Sequence, residues 1–153
     1  MYSTAVNDEV IDLYAVGEAG RKKDGGASVP YMHMVHLHGP RGEIVRVRAV
    51  VDNGAMCGAI DSAFFDGAAG RLAALEPSRK VLRMANGAIV PSQGIWRGTT
   101  EFGGVRRQAE FEVFPSGGAW AMLFGKPLLE GFNMAHEYAT DVIVLPTLEG
   151  TTV

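Results

Sequence analysis

A single cysteine, Cys57, in 153 residues excludes an internal disulfide and any zinc site built from several thiolates. No run of about 18 apolar residues is present to cross a bilayer as a helix. The start Met1-Tyr2-Ser3-Thr4 lacks the basic-then-apolar order of a signal peptide. These absences lead to the expectation of an intracellular, cytoplasmic protein without a membrane partner. Cationic excess is also missing: 14 Lys and Arg stand against 17 Asp and Glu, for a net charge of −3, so no nucleic-acid partner is expected. Metal-ligand clusters are scarce as well. Of His33, His36 and His38, only the last two share a strand face, and two ligands are too few. His136-Glu137 opens like the zinc-protease helix motif, but Thr140 stands where its second His is required. No metal or other cofactor is expected.

What is present suits one domain with a real core, since 47% of the residues are hydrophobic and 20% charged. Residues 1–29 read as an extension. Val10 to Val16 has the makings of one short strand, but Arg21-Lys22-Lys23-Asp24-Gly25-Gly26 is a charged, glycine-rich linker. The compact domain is expected over residues 30–146, with a polar tail at 147–153. Tyr31–His38 and Glu43–Val51 read as a hairpin about the turn residues Gly39-Pro40-Arg41-Gly42. Ile60–Leu75 predicts one or two short helical turns. Val81–Met84 and Ile89–Phe102 read as strands about Ala85-Asn86-Gly87-Ala88, whose Asn-Gly pair favours a type I′ turn. This small-residue hairpin is either a mobile cover or a plain β-meander. Val105–Phe114 and Ala121–Gly125 are further strands, Lys126–Phe132 is a helix that accepts Pro127 in its first turn, and Met134–Tyr138 with Asp141–Leu145 is a last strand pair. Short strands at close spacing with one late helix predict a mainly β protein, a small closed β-barrel.

The central stretch is Val45-Arg46-Val47-Arg48-Ala49-Val50-Val51-Asp52-Asn53-Gly54-Ala55. It puts a carboxylate where a buried strand stops, and Asp is costly there unless something pairs with it or uses it. Taken alone, Asp52-Asn53-Gly54 also suits an ordinary surface turn. Cys57, five residues on, reads as a small buried hydrophobe rather than a nucleophile.

Taken together, these segments resemble the retropepsins, the aspartic proteases of retroviruses and retrotransposons, over residues 31–146. Three motifs carry the resemblance in order: Val50-Val51-Asp52-Asn53-Gly54-Ala55 for the family's apolar-apolar-Asp-Ser/Thr-Gly-Ala, a glycine-bearing flap hairpin at Met84–Val90, and Leu123-Phe124-Gly125 before a helix. The stretch Leu82–Tyr138 resembles fungal retroelement polyproteins in particular. Asn53 departs from the pattern, because the family has Ser or Thr there, bonding across a dimer axis. An amide also carries a donor and an acceptor.

The resemblance implies an aspartic endopeptidase in which Asp52 is catalytic and Asn53, Gly54 and Ala55 complete the active-site loop. Peptide hydrolysis by this route needs two carboxylates facing one water. This chain supplies one, because Asp24-Gly25-Gly26 lies in the polar linker and Asp61 and Asp66 lack the motif. A homodimer is therefore expected, with an extended peptide or polyprotein as substrate. Val10–Val16 and Asp141–Leu145 are the strands available to join the two copies. Met56, Met84, Ala85, Asn86, Gly87, Ala88, Ile89, Val90 and Leu123 are the expected substrate-binding residues. Two alternatives remain open: a silent retropepsin-like module for dimerisation or peptide binding, and an unrelated small β-barrel that binds a ligand or oligonucleotide.

Overall fold

The computed structural model describes residues 9–14, 31–137 and 142–144. The charged linker at 21–28, Thr140 and the tail at 147–153 lie outside the described residues. The elements are β1 (Glu9–Asp12), β2 (Tyr31–His38), β3 (Ile44–Val51), β4 (Ala59–Asp61), α1 (Ser62–Ala68), β5 (Lys80–Arg83), β6 (Ile89–Pro91), β7 (Gly94–Phe102), β8 (Val105–Phe114), β9 (Met122–Phe124), α2 (Lys126–Gly131), β10 (Ala135–Glu137) and β11 (Val142–Val144). A 3₁₀ turn, Ala69–Arg71, follows α1. Helix in the stretch 60–75 is thus confined to 62–71.

Six strands close into a barrel in the order β2-β3-β9-β4-β8-β7. Sequence alternation sets which side faces in. Along β3, Val45, Val47, Ala49 and Val51 are buried while Ile44, Arg46 and Arg48 are exposed, so the side-chain period of two gives one core face. The β2–β3 hairpin pairs Tyr31 with Val51 through to His38 with Ile44. Its register delivers Asp52 to the end of the barrel wall. Inside, Phe102, Phe124 and Phe132 lie with ring centroids 5.2–6.4 Å apart, a tilted aromatic cluster under α2. His38 meets Glu101 at 3.2 Å in a partly buried pairing. His136 and Glu137 fall on a strand, since β10 pairs antiparallel with β11.

Outside the barrel, β1, β5 and β6 form a three-stranded sheet in the order β1-β5-β6. β1 runs parallel to β5, with Glu9 opposite Lys80 and Asp12 opposite Arg83. Leu13, just past β1, is fully buried. This part of the expected extension 1–29 therefore packs against the domain, and the N-terminal strand is paired within its own chain. The β5–β6 turn differs from expectation. Asn86 keeps a negative φ and only Gly87 is left-handed, at +87°. The Gly87 N–H donates to the Met84 carbonyl at 2.9 Å and the Met84 N–H to the Ala88 carbonyl at 2.8 Å. That is a three-residue loop with glycine at the left-handed position rather than a type I′ turn. The Asn86 side chain holds it by accepting from the Ala88 N–H at 2.9 Å.

Asp61 ties β4, α1 and the loop after β8 together. It caps α1 by accepting from the Phe64 N–H at 3.2 Å, and accepts from the Ser116 N–H at 2.8 Å. Burial acts to raise its pKa, but these donors, Ser116 foremost, outweigh burial and hold it below the ordinary carboxylate range. A depressed carboxylate stabilises the fold above its unfolded pKa and loses that contribution as pH falls through its folded value. Asp61→Ala is expected to cost about 0.5–2 kcal/mol in urea melts at neutral pH, with the difference from the parent shrinking in acid. A pH-independent difference would assign the cost to packing instead.

Candidate active site

Asp52 follows β3 directly, and its main chain is anchored to the neighbouring barrel strand: its N–H donates to the Phe124 carbonyl at 3.1 Å. The chain then turns. The Ala55 N–H donates back to the Asp52 carbonyl at 3.2 Å, and the Gly54 N–H donates to Asp52 Oδ1 at 2.8 Å. An Asp that accepts from the backbone two residues on is a local Asx turn, the conformation the Asp-Asn-Gly sequence favours. The carboxylate is half-buried at the mouth of the barrel, Asn53 is exposed, and Gly54 and Ala55 are buried.

The loop is held from below by β9 and the start of α2. The Lys126 N–H donates to the Ala55 carbonyl at 2.8 Å. At Gly125 the two backbones cross so closely that an added Cβ would lie 2.2 Å from the Cys57 carbonyl oxygen and 2.9 Å from that of Ala55. The φ of Gly125 is an ordinary −87°, so glycine is required here for space and not for conformation. This explains physically why an apolar-apolar-Gly stretch accompanies the Asp-x-Gly loop.

The expected substrate-binding residues divide into two groups. Ala85, Asn86, Gly87, Ala88 and Ile89 are exposed at the β5–β6 tip, and Met56 is 38% exposed beside the loop. Met84, Val90 and Leu123 pack with Ala55, Ala59, Leu82 and Phe114 in a second apolar cluster, separate from the barrel core. Leu123 is fully buried there. The same cluster contains Leu13 and Tyr14, which sequence reasoning did not place at the site. Tyr14 pairs antiparallel with Ala55. Burial raises its hydroxyl pKa, and the nearby Asp52 charge pushes the same way. Trp120, edge-on to Phe114 at 5.7 Å, lies in the same cluster and acts to lower the Tyr14 pKa against these two effects. The only sequence signal for this group was the apolar alternation of Ile11 and Leu13.

Cys57 is poorly suited to act as a nucleophile. Burial, with Glu112 adding to it, pushes its thiol up to about 12. Among the described residues, surface cavities lie elsewhere. One of about 270 Å³ is lined by Arg97, Glu110, Pro127 and Phe132, and one of about 720 Å³ by His36, Arg46, Phe64 and Arg71. Neither is lined by the Asp52 loop or the β5–β6 hairpin. Among the described residues no group of three His, Cys, Asp or Glu side chains is placed to hold a metal. No helix among them is long and apolar enough to cross a membrane.

The arrangement is similar to the retroviral protease-like domain of Ddi1 from Leishmania major, with a TM-score of 0.57 over 77% of this chain and 88% of that one at 15% identity. The fold is retropepsin-like. A protein of unknown function from Legionella pneumophila, Lpg0085, aligns with a TM-score of 0.43 at 12% identity, covering 68% of this chain and 87% of its own, too slight a likeness to carry an argument. No protein-family model and no curated protein matches the sequence. At 15% identity the Ddi1 likeness establishes architecture, and the chemistry rests on this chain's own residues.

Two outcomes follow from the geometry. Gly125→Ala is expected to destabilise the fold by about 1–3 kcal/mol or more, read from the urea midpoint, because backbone rather than a flexible side chain blocks the new methyl. With its thiol pushed up this far, Cys57 is held almost wholly protonated at pH 8. Native protein should thus react with a maleimide far more slowly than the same chain in urea, and equal rates would refute the burial argument.

Proposed function

We propose that this chain is an aspartic endopeptidase of retropepsin type, active as a homodimer in which each copy contributes Asp52. The observation that carries the reading is a carboxylate at the mouth of a retropepsin-like barrel, fixed by its own loop and by the crossing at Gly125. One carboxylate cannot both accept a proton from water and donate one to a carbonyl in the same step. Two copies about a two-fold axis supply both roles. The ionised member takes a proton from water, the water oxygen bonds to the scissile carbonyl carbon, and the protonated member gives its proton to the carbonyl oxygen. Collapse breaks the C–N bond as the amine takes up a proton.

Aspartic dyads in general share one proton, because two adjacent carboxylates cannot both ionise cheaply. Cleavage is therefore best in mild acid and fades toward alkaline pH. The β5–β6 hairpin acts as the flap, bonding an extended peptide in β fashion and shedding water from the site. Apolar Met56, Met84, Ala88, Val90 and Leu123 favour hydrophobic or aromatic side chains about the cut bond. The resemblance of Leu82–Tyr138 to fungal retroelement polyproteins supports polyprotein processing as the task.

A second reading, a silent dimerisation or peptide-binding module, is favoured by Asn53 at the position where the family pattern has a hydroxyl. One experiment separates the two. Cleavage of a hydrophobic peptide library is expected to peak at acid pH, to be blocked by a pepstatin-type inhibitor, and to fall by at least about 10²–10⁴-fold in Asp52→Asn, with the dimer retained in sedimentation. Cleavage that persists in Asp52→Asn, or a rate that still climbs above pH 8, overturns the protease reading. Peptide binding without cleavage establishes the module.

A further inference from the structure

The proposed peptide groove is bounded by the flap strand β5 on one side and the Asp52 loop on the other, and in this structure residues 9–14 run between them. On the flap side the Glu9 N–H donates to the Arg79 carbonyl at 3.0 Å and the Leu13 N–H to the Arg83 carbonyl at 2.9 Å. On the loop side the Met56 N–H donates to the Leu13 carbonyl at 2.6 Å, and Tyr14 stands opposite Ala55. Main-chain bonds to flap and loop at once are what an extended peptide needs for capture by strand addition. Side chains alternate as such a ligand's would. Ile11 and Leu13 turn into the apolar cluster while Val10 and Asp12 face out. Leu13 is fully buried among Ala55, Ala59, Leu82, Phe114 and Leu123, and Tyr14 is close enough to Asp52 to feel its charge.

We propose that Glu9–Tyr14 is a built-in occupant of the peptide groove. The pocket around Leu13 then selects a branched aliphatic side chain, and an aromatic residue follows it toward Asp52. A peptide entering in trans must displace this segment, so the free groove is only a fraction of the population and apparent affinity is reduced by that fraction. The inference deepens the peptide-hydrolase reading and rests on its groove, but it concerns binding and is tested without cleavage.

Asp12 and Arg83 are partnered residues of the parallel pair, half-exposed and ion-paired at 3.2 Å, outside the cluster that lines the groove. The double variant Asp12→Cys with Arg83→Cys can pin β1 to β5 through a disulfide, since paired strand positions fall within bridging distance. The probe is a fluorescent, end-capped peptide with the sequence of residues 9–14, titrated by polarisation into the full chain carrying Cys57→Ala. The oxidised double variant should not bind it, and reduction with dithiothreitol should restore binding. Leu13→Asp, which ejects the segment, should tighten binding by about tenfold or more over the parent. Equal binding in the oxidised and reduced forms, or no binding to both the reduced form and Leu13→Asp, overturns the inference. If Leu13→Asp does not fold, the redox comparison decides alone. Redox-gated binding without cleavage leaves the occupant standing and removes the protease, whereas cleavage with redox-independent binding does the reverse.

Discussion

The constraint on which the site depends is the passage of the Asp52 loop across the end of β9, where no atom beyond hydrogen fits on the α-carbon of Gly125. Close backbone contact lets the Phe124 carbonyl and the Lys126 N–H bond to Asp52 and Ala55, on either side of the turn. The loop is therefore clamped at both ends by the strand-to-helix junction, and its carboxylate is placed by main chain rather than by neighbouring side chains. Main-chain placement of this kind is rigid, because moving Asp52 means breaking barrel hydrogen bonds. It is also incomplete, since nothing in the clamp supplies a second acid.

Much of this was legible in the sequence because it follows from short-range rules. The alternation in Val45–Val51 fixed both the strand and its inward face, and Asp-Asn-Gly fixed the turn after it. Gly39-Pro40-Arg41-Gly42 fixed the hairpin that sets Asp52's register. The Leu123-Phe124-Gly125 stretch was readable only as a pattern, since its meaning lies in a backbone some seventy residues earlier in the chain that no local rule reveals. The β5–β6 turn differs in type from expectation because Asn-Gly suits two geometries. Asn86 spends its side chain on the Ala88 N–H and stays at negative φ, leaving Gly87 to adopt the left-handed conformation.

The N-terminal strand is expected within Val10–Val16, but the strand it joins is not legible in the sequence, and the cause is also physical. A parallel pairing between residues 71 positions apart leaves no turn signal to say which strand is the partner. Asp12 interrupts the apolar run of this segment. It is tolerated because it points outward to Arg83, while Ile11, Leu13 and Tyr14 pack against the apolar cluster.

A groove that holds its ligand by main-chain bonds discriminates weakly among sequences, because every residue offers the same N–H and C=O. Discrimination then falls to the few side-chain pockets, here the one around Leu13, and to concentration. A segment of the same chain is present at an effective concentration set by its tether, not by the amount of protein, so it holds the groove at any dilution. A substrate in trans prevails only by filling the pocket better or by engaging more of the groove than six residues reach. The identity of Leu13 and the strength of its burial thus set how selective the proposed groove is, whatever the role of Asp52.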